Sequence, residues 1–272
     1  MESEGIIRII LFLLVFCSIA TWEKLRPKRL KDPRRLNRWS INLGLMLLNT
    51  LTLRLIFPMA AVGMALYAEQ HQLGILNHID LHPGLAIMIS VIVLDLFIYF
   101  QHVLFHAVPA LWRLHMIHHT DLEYDLTTGV RFHPIEIIIS MLLKFLVIIA
   151  LGPPAIAVLI FEILLNSCAM FNHGNIKLPA SVDSILRKLI VTPDMHRIHH
   201  STIKTETNSN YGFNLSVWDK LFGTYKAKAL REQTTMDIGL ENYRDSNDLS
   251  YLKLLKLPLT GKIGRYPINK DS

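Results

Sequence analysis

Three groups of histidine stand at helical spacing in this 272-residue chain: His102 and His106; His115, His118 and His119; and His196, His199 and His200. Residues three and four apart share one face of a helix, so each group presents its imidazoles as a set near enough to grip one or two ions. Neutral imidazole suits zinc, copper, iron and nickel, whereas magnesium and calcium want oxygen ligands. Both cysteines, Cys17 and Cys168, lie inside apolar runs, which leaves neither a disulfide framework nor a CxxC site. Metal chemistry here must therefore use nitrogen and oxygen. A structural zinc saturates at four ligands, and eight clustered histidines exceed that, so two metals are the better count. Soluble di-iron bundles use ExxH pairs, and no histidine here has Glu three residues before it.

The elements that must carry these residues are apolar. Hydrophobic residues make up 51% and charged residues 18%, with a mean hydropathy of +0.33, which points to a multi-span membrane protein. The formal charge of +6 fits loops beside anionic lipid, because the cations are not interleaved with base-stacking aromatics; no nucleic-acid partner is expected. Gly5 to Trp22 reads as a first span. Lys24, Arg26, Lys28, Arg29, Lys31, Arg34, Arg35 and Arg38 follow it and Glu2 and Glu4 precede it, the reverse of a cleavable leader. The span is therefore retained, with the basic loop cytoplasmic. Ile41 to Tyr67 contains Arg54 and Pro58, and is either one tilted, kinked span or two shorter pieces.

Leu85 to Leu104 returns to the cytoplasmic face and delivers His102 and His106 at its inner end. Pro134 to Phe171 is nearly all apolar and is interrupted at Gly152, Pro153 and Pro154, the pattern of a helical hairpin. From His173 onward the chain is polar. Thr192, Pro193 and Asp194 give a capping hydroxyl, a proline at the first helical position and an acid in the first turn, so the third cluster sits on a short helix. The reading is an all-α membrane protein with about four to five spans. A cytoplasmic helical cap carries a histidine-rich di-metal site, and all three clusters fall on one side of the bilayer. An all-histidine, membrane-embedded di-iron centre is the metal site that remains. The chain divides into N-terminal spans with the basic loop (1–84), a catalytic unit (85–230) and a C-terminal tail (231–272).

The motif series DLFIYFQHVLFH (Asp95 to His106), LHMIHH (Leu114 to His119), RFHPIE (Arg131 to Glu136), FNHGN (Phe171 to Asn175), DMHRIHH (Asp194 to His200) and NSNYGFNLSVWDKLFGTY (Asn208 to Tyr225) resembles the fatty acid hydroxylase superfamily, also called the sterol desaturase family. That resemblance implies an integral membrane non-haem di-iron enzyme using O2 and two electrons to hydroxylate, desaturate or demethylate a lipid, such as a sterol or fatty acyl chain. It implies His102, His106, His115, His118, His119, His196, His199 and His200 as metal ligands. Where several members carry a further histidine pair, this chain offers only His173, flanked by Asn172 and Asn175, and His173 is taken as a ninth ligand.

Asp95 and Glu136 are the candidate catalytic carboxylates. Asp95 lies mid-span, where a carboxylate is costly without a partner; it either pairs with Arg54 or orients a ligand histidine. In RFHPIE, Glu136 or Arg131 holds a ligand imidazole, or His133 simply opens a helix at Pro134. Trp218 and Asp219 are expected to brace the cap. His71, His78 and His82 stand outside the clusters and are expected to be structural. The stretch Leu249 to Pro258 is amphipathic, and either lies at the membrane interface or, the more frequent outcome, packs on its own domain. No GxGxxG opens a nucleotide-binding unit and no haem or iron–sulfur cysteine pattern exists, so electrons must come from a separate ferredoxin/reductase or cytochrome b5 type donor at the cytoplasmic face. Compact loops and no ER-retrieval tail favour a bacterial inner membrane over the ER. The competing class is a histidine-lined metal transporter or zinc-binding membrane protein, which would string its ligands along a path through the spans.

Overall fold

The computed structural model describes residues 2–30 and 35–269; Lys31 and Arg34 of the basic loop, and the side chains of Glu2 and Glu4, lie outside what it describes. Among the described residues there is no strand, only isolated bridges such as Pro27 with Ile176 and Ile190 with Leu215. Five helical stretches are long and apolar enough to cross a membrane: Gly5–Leu25, Arg35–His78, Pro83–Ala107, Pro134–Leu151 and Ala155–Asn172.

Helix α1 (Glu2–Leu25) leans on the later spans through Ile19, which packs with Leu126 and Met170. The ambiguous second segment is two helices, α2 (Arg35–Ile56) and α3 (Ala60–Gln70). Pro58 explains the break, since it has no N–H to give and its ring clashes with the preceding turn. Helix α4 (Pro83–Ala107) starts at His82, whose ring accepts the Gly84 N–H. It ends where Val108 turns extended, and Pro109 begins α5 (Pro109–His119) in a new direction. Helix α6 (Pro134–Leu151) stops at Gly152, which is left-handed at φ 68°. A Cβ there would meet the Leu73 carbonyl at 2.6 Å, so only glycine fits the turn into α7 (Ala155–Asn172).

The spans close on one another around Ala61, Val62 and Ala65 of α3, Leu94 and Ile98 of α4, Met141 and Ile148 of α6, and Val158 and Phe161 of α7. Outward faces such as Ile6, Ile9, Ile10, Leu13 and Leu14 of α1 stay apolar and exposed, as lipid contact requires. At one end of the bundle sits a cap of short helices: α8 (Ala180–Leu186), α9 (Pro193–His199), α10 (Lys204–Thr207), α11 (Val217–Leu221) and α12 (Tyr251–Thr260). Helix α12 packs on its own domain: Leu254 and Leu257 are buried with Leu45 of α2 and with Trp112, Met116 and Ile117 of α5. His78 and His82 lie at the opposite end of the bundle, separated from His106 by the whole of the 25-residue α4.

Candidate metal centre

Four elements converge under the cap. Helix α4 brings His102 and His106 on one face at its last turns, and α5 brings His115, His118 and His119. His173 follows directly on α7 as its C-cap. Helix α9 opens as its sequence demands, with the Thr192 side chain capping it and Pro193 in its first turn, and carries His196 and His199; His200 is its C-cap. All nine imidazoles are buried, none more than 3% exposed. Their donor atoms sort into two groups, His102, His106, His115, His119 and His199 in one, and His118, His173, His196 and His200 in the other, each with its ligand atoms within 4.8 Å of one another.

The residues fit metal. Nε2 of His102 and His115 lie 3.1 Å apart. In the second group, His173 Nε2 stands 3.2, 3.2 and 3.1 Å from the Nε2 atoms of His118, His200 and His196. Imidazole nitrogens bound at ~2.0–2.1 Å to one metal fall roughly 3 Å apart in neighbouring positions. In the first group, Nε2 of His106, His119 and His199 is buried with no partner among the described residues, a cost that a bound cation would remove.

The far nitrogens explain how the rings are aimed. His102 Nδ1 donates to the Tyr211 carbonyl at 2.7 Å, His199 Nδ1 to the Ser209 carbonyl at 2.8 Å and His173 Nδ1 to the Ala169 carbonyl at 2.7 Å. A carbonyl can only accept, so Nδ1 carries the proton and the Nε2 lone pair is left facing the group. Glu136 Oε1 accepts from His115 Nδ1 at 2.6 Å. Asn208 Oδ1 faces His106 Nδ1 at 3.1 Å, its amide orientation held by Nδ2 donating to the Tyr266 carbonyl. Burial pushes His115 and His173 down to about 3. Burial, then the neighbouring imidazoles, push His118, His119, His196, His199 and His200 well below the ordinary value. All seven are neutral at neutral pH, the form that ligates metal.

The loop that supplies three of these acceptors is itself fixed. Asp219 accepts the Tyr211 and Gly212 amides at 2.7 and 2.9 Å and the Thr224 hydroxyl at 2.7 Å. Asn210 holds a left-handed φ of 54° and spans from Met195 to Lys226 through its amide. Asp219 thus braces the cap. Trp218 does so by donating to Asp95 Oδ2 at 2.8 Å, with the Leu215 amide at 3.2 Å. Both expected partners of Asp95 are corrected here: it ties the spans to the cap loop instead of pairing with Arg54 or touching a ligand histidine. Both readings of RFHPIE hold, since the His133 ring caps α6 by accepting the Ile135 amide while Glu136 holds His115. Arg131 anchors the end of α5 through the Ile117 carbonyl, Thr120 and Asn42. Beside it, burial favours protonation of Asp121, but Arg38 and Arg131 outweigh that and hold its carboxyl below the usual range. Asn208, the carbonyls of Ala169, Ser209 and Tyr211, and the Asp121 network are the parts that sequence reasoning missed.

A cavity of about 300 Å³ opens beside the first group. His102, His115, Glu136, Phe105, Phe132 and Phe213 form its metal-side wall, and Leu53, Ile98, Met141 and Leu165 continue it between the spans.

Just over half of the chain, residues 87–224, matches the family model for fatty acid hydroxylase. The chain belongs to the fatty acid hydroxylase family. It is 30% identical over 188 residues to the ornithine lipid hydroxylase OlsE of Rhizobium tropici, covering 68% of this chain and 54% of that protein. It is 27% identical over 135 residues to the human alkylglycerol monooxygenase, covering 48% of this chain and 28% of that protein. A fatty acid hydroxylase, vlmA of Lecanicillium sp, is 28% identical over 215 residues, 73% of this chain and 55% of the relative. The chain thus spans about half the length of the first and third of these relatives and about a quarter of the second. No solved structure matches the chain.

Proposed function

We propose that this chain is a membrane-embedded lipid hydroxylase that holds two iron ions, one in each histidine group, and consumes O2 and two externally supplied electrons per turnover. With two protons from solvent, the overall change would insert one oxygen atom of O2 into a C–H bond, giving an alcohol, and release the other as water. The observation that carries this reading is the sorting of nine buried imidazoles into two closed donor groups at the wall of a largely apolar cavity. A transporter would need ligands strung across the bilayer, and these lie at one end of the bundle.

The irons would supply O2 activation. The protein's own residues aim the imidazoles from behind, keep Glu136 as the acceptor for the His115 proton, and surround a substrate C–H bond with Phe105, Phe132 and Phe213, which exclude water. The basic loop and the span order support a cytoplasmic cap where a separate ferredoxin/reductase or cytochrome b5 type donor docks; the likeness to the Rhizobium tropici protein supports a bacterial inner membrane as the location. Relatives named for ornithine lipid and alkylglycerol make amphiphilic lipids the first substrates to test. The experiment is metal analysis of the purified chain joined to lipidomics of a deletion strain and its parent. Two irons per chain, with a lipid accumulating and its form heavier by one oxygen disappearing, is expected. Readily exchanging substoichiometric metal with an unchanged lipidome would overturn the reading.

A further inference from the structure

The cavity does not remain apolar along its length. Lys144 of α6 and Glu162 of α7 also line it, with Asn166, Thr50 and the Gln101–Ser140 pair. Lys144 Nζ donates to Glu162 Oε1 at 2.8 Å, and Arg8 of α1 donates to Glu162 Oε2 at 2.8 Å. Glu136, which touches His115, and Lys144 are on the same helix, eight residues and so ~12 Å apart. Both Lys144 and Glu162 are buried, at 7% and 9% exposure, in segments that cross the membrane. Charges at such depth are costly and persist where they meet a partner or a function. Joining α1, α6 and α7 is one service this trio performs. It leaves part of Lys144 unused, because an ammonium has three donors and, among the described residues, one of them finds an acceptor, Glu162, with the cavity beside it.

We propose that Lys144, held in place by Glu162, is an anchor for a polar group of the bound lipid. The assignment rests on the lipid-hydroxylase reading and narrows it: the substrate carries a hydrogen-bond-accepting oxygen, as an ester, ether or carboxylate, set back from the carbon presented to the metal groups by roughly the two helical turns (~12 Å of axial rise) that separate Glu136 from Lys144. Phe105, Phe132 and Phe213 contact the chain near the metals, while Lys144, Asn166 and Thr50 set its depth and hence which carbon is presented. A lipid of equal length without that oxygen would fill the same space but leave the ammonium desolvated and short of acceptors, which is a large penalty.

Equilibrium binding tests this on the 272-residue chain purified in detergent, with no reductant added so that nothing turns over. The probes are radiolabelled methyl palmitate, palmitic acid and hexadecane. The wild type is expected to bind at least one oxygenated probe tenfold or more tightly than hexadecane. Lys144→Met strands Glu162 with Arg8 alone and can fail to fold, so the companion variant is Lys144→Met/Glu162→Leu, which removes both charges at similar volume. It should retain hexadecane affinity and bound iron and lose the preference. Equal binding of all three probes by wild type overturns the anchor whatever the variants do, and so does an undiminished preference in the double variant, which would leave the pair as a helix staple. Iron content is read in parallel, so a chain without iron that still shows the preference sinks the hydroxylase and spares the anchor.

Discussion

The two histidine groups are held differently. In the five-membered group, four rings are aimed from behind by protein acceptors: the Tyr211 and Ser209 carbonyls, Asn208 and Glu136. In the four-membered group, His173 has the Ala169 carbonyl, whereas Nδ1 of His118 and of His200 meets no acceptor among the described residues. An oriented imidazole loses less entropy on ligation and is the stronger base. The first group is thus preorganised, and the second would depend more on a bound metal to order it.

Removing a histidine from either group should have the largest effect. His199→Ala, in the first group, and His118→Ala, in the second, should each lower turnover by more than the ~100-fold typical of outer-shell losses and reduce iron measured by mass spectrometry, with the protein still inserted. Full activity in either variant would break the shared-centre reading.

Glu136→Ala should cost roughly 10- to 100-fold in activity and weaken iron held by the first group, because His115 loses the acceptor that fixes its tautomer; Glu136→Gln, which keeps an accepting oxygen, should recover most of it. Equal defects in both variants would show that the carboxylate's charge matters and the acceptor does not.

Chelator challenge sharpens the comparison without mutation. Iron loss should be biphasic, with one ion leaving about tenfold faster, the size of one outer-shell contact, and Asn208→Ala should accelerate the slow phase only. Acceleration of the fast phase would reverse the assignment of the loosely held group.

The smallest effect is expected far from the histidine groups. Gly152→Ala forces a left-handed residue and a clash with the Leu73 carbonyl, so it should destabilise the bundle by about 1–2 kcal/mol, seen as a lower unfolding midpoint. Iron per folded chain should stay unchanged; a drop would tie the α6–α7 turn to the site.

Much of this architecture was written locally. The break at Gly152–Pro154, the Thr192–Pro193 start of α9 and the three histidine clusters are local signals, because capping, proline geometry and helical spacing act within a few residues. The partition of the histidines was only half legible. Pairs four apart, His102 with His106, His115 with His119 and His196 with His200, fall in the same group, as a shared helix face requires. Adjacent histidines lie about 100° apart around a helix, so His118 parts from His119 and His199 from His200, their rings crossing at 90° and 80°. Which group each joins was decided by how α5, α7 and α9 pack. The acceptors at Ala169, Ser209 and Tyr211 had no signature at all, since every residue has a carbonyl and only the fold decides which one points at a histidine. Asp95 teaches the same point: the sequence determined that a carboxylate in a span must find a partner, and the tertiary structure chose Trp218 and the Leu215 amide, 123 and 120 residues away, because the cap loop packs against the middle of α4.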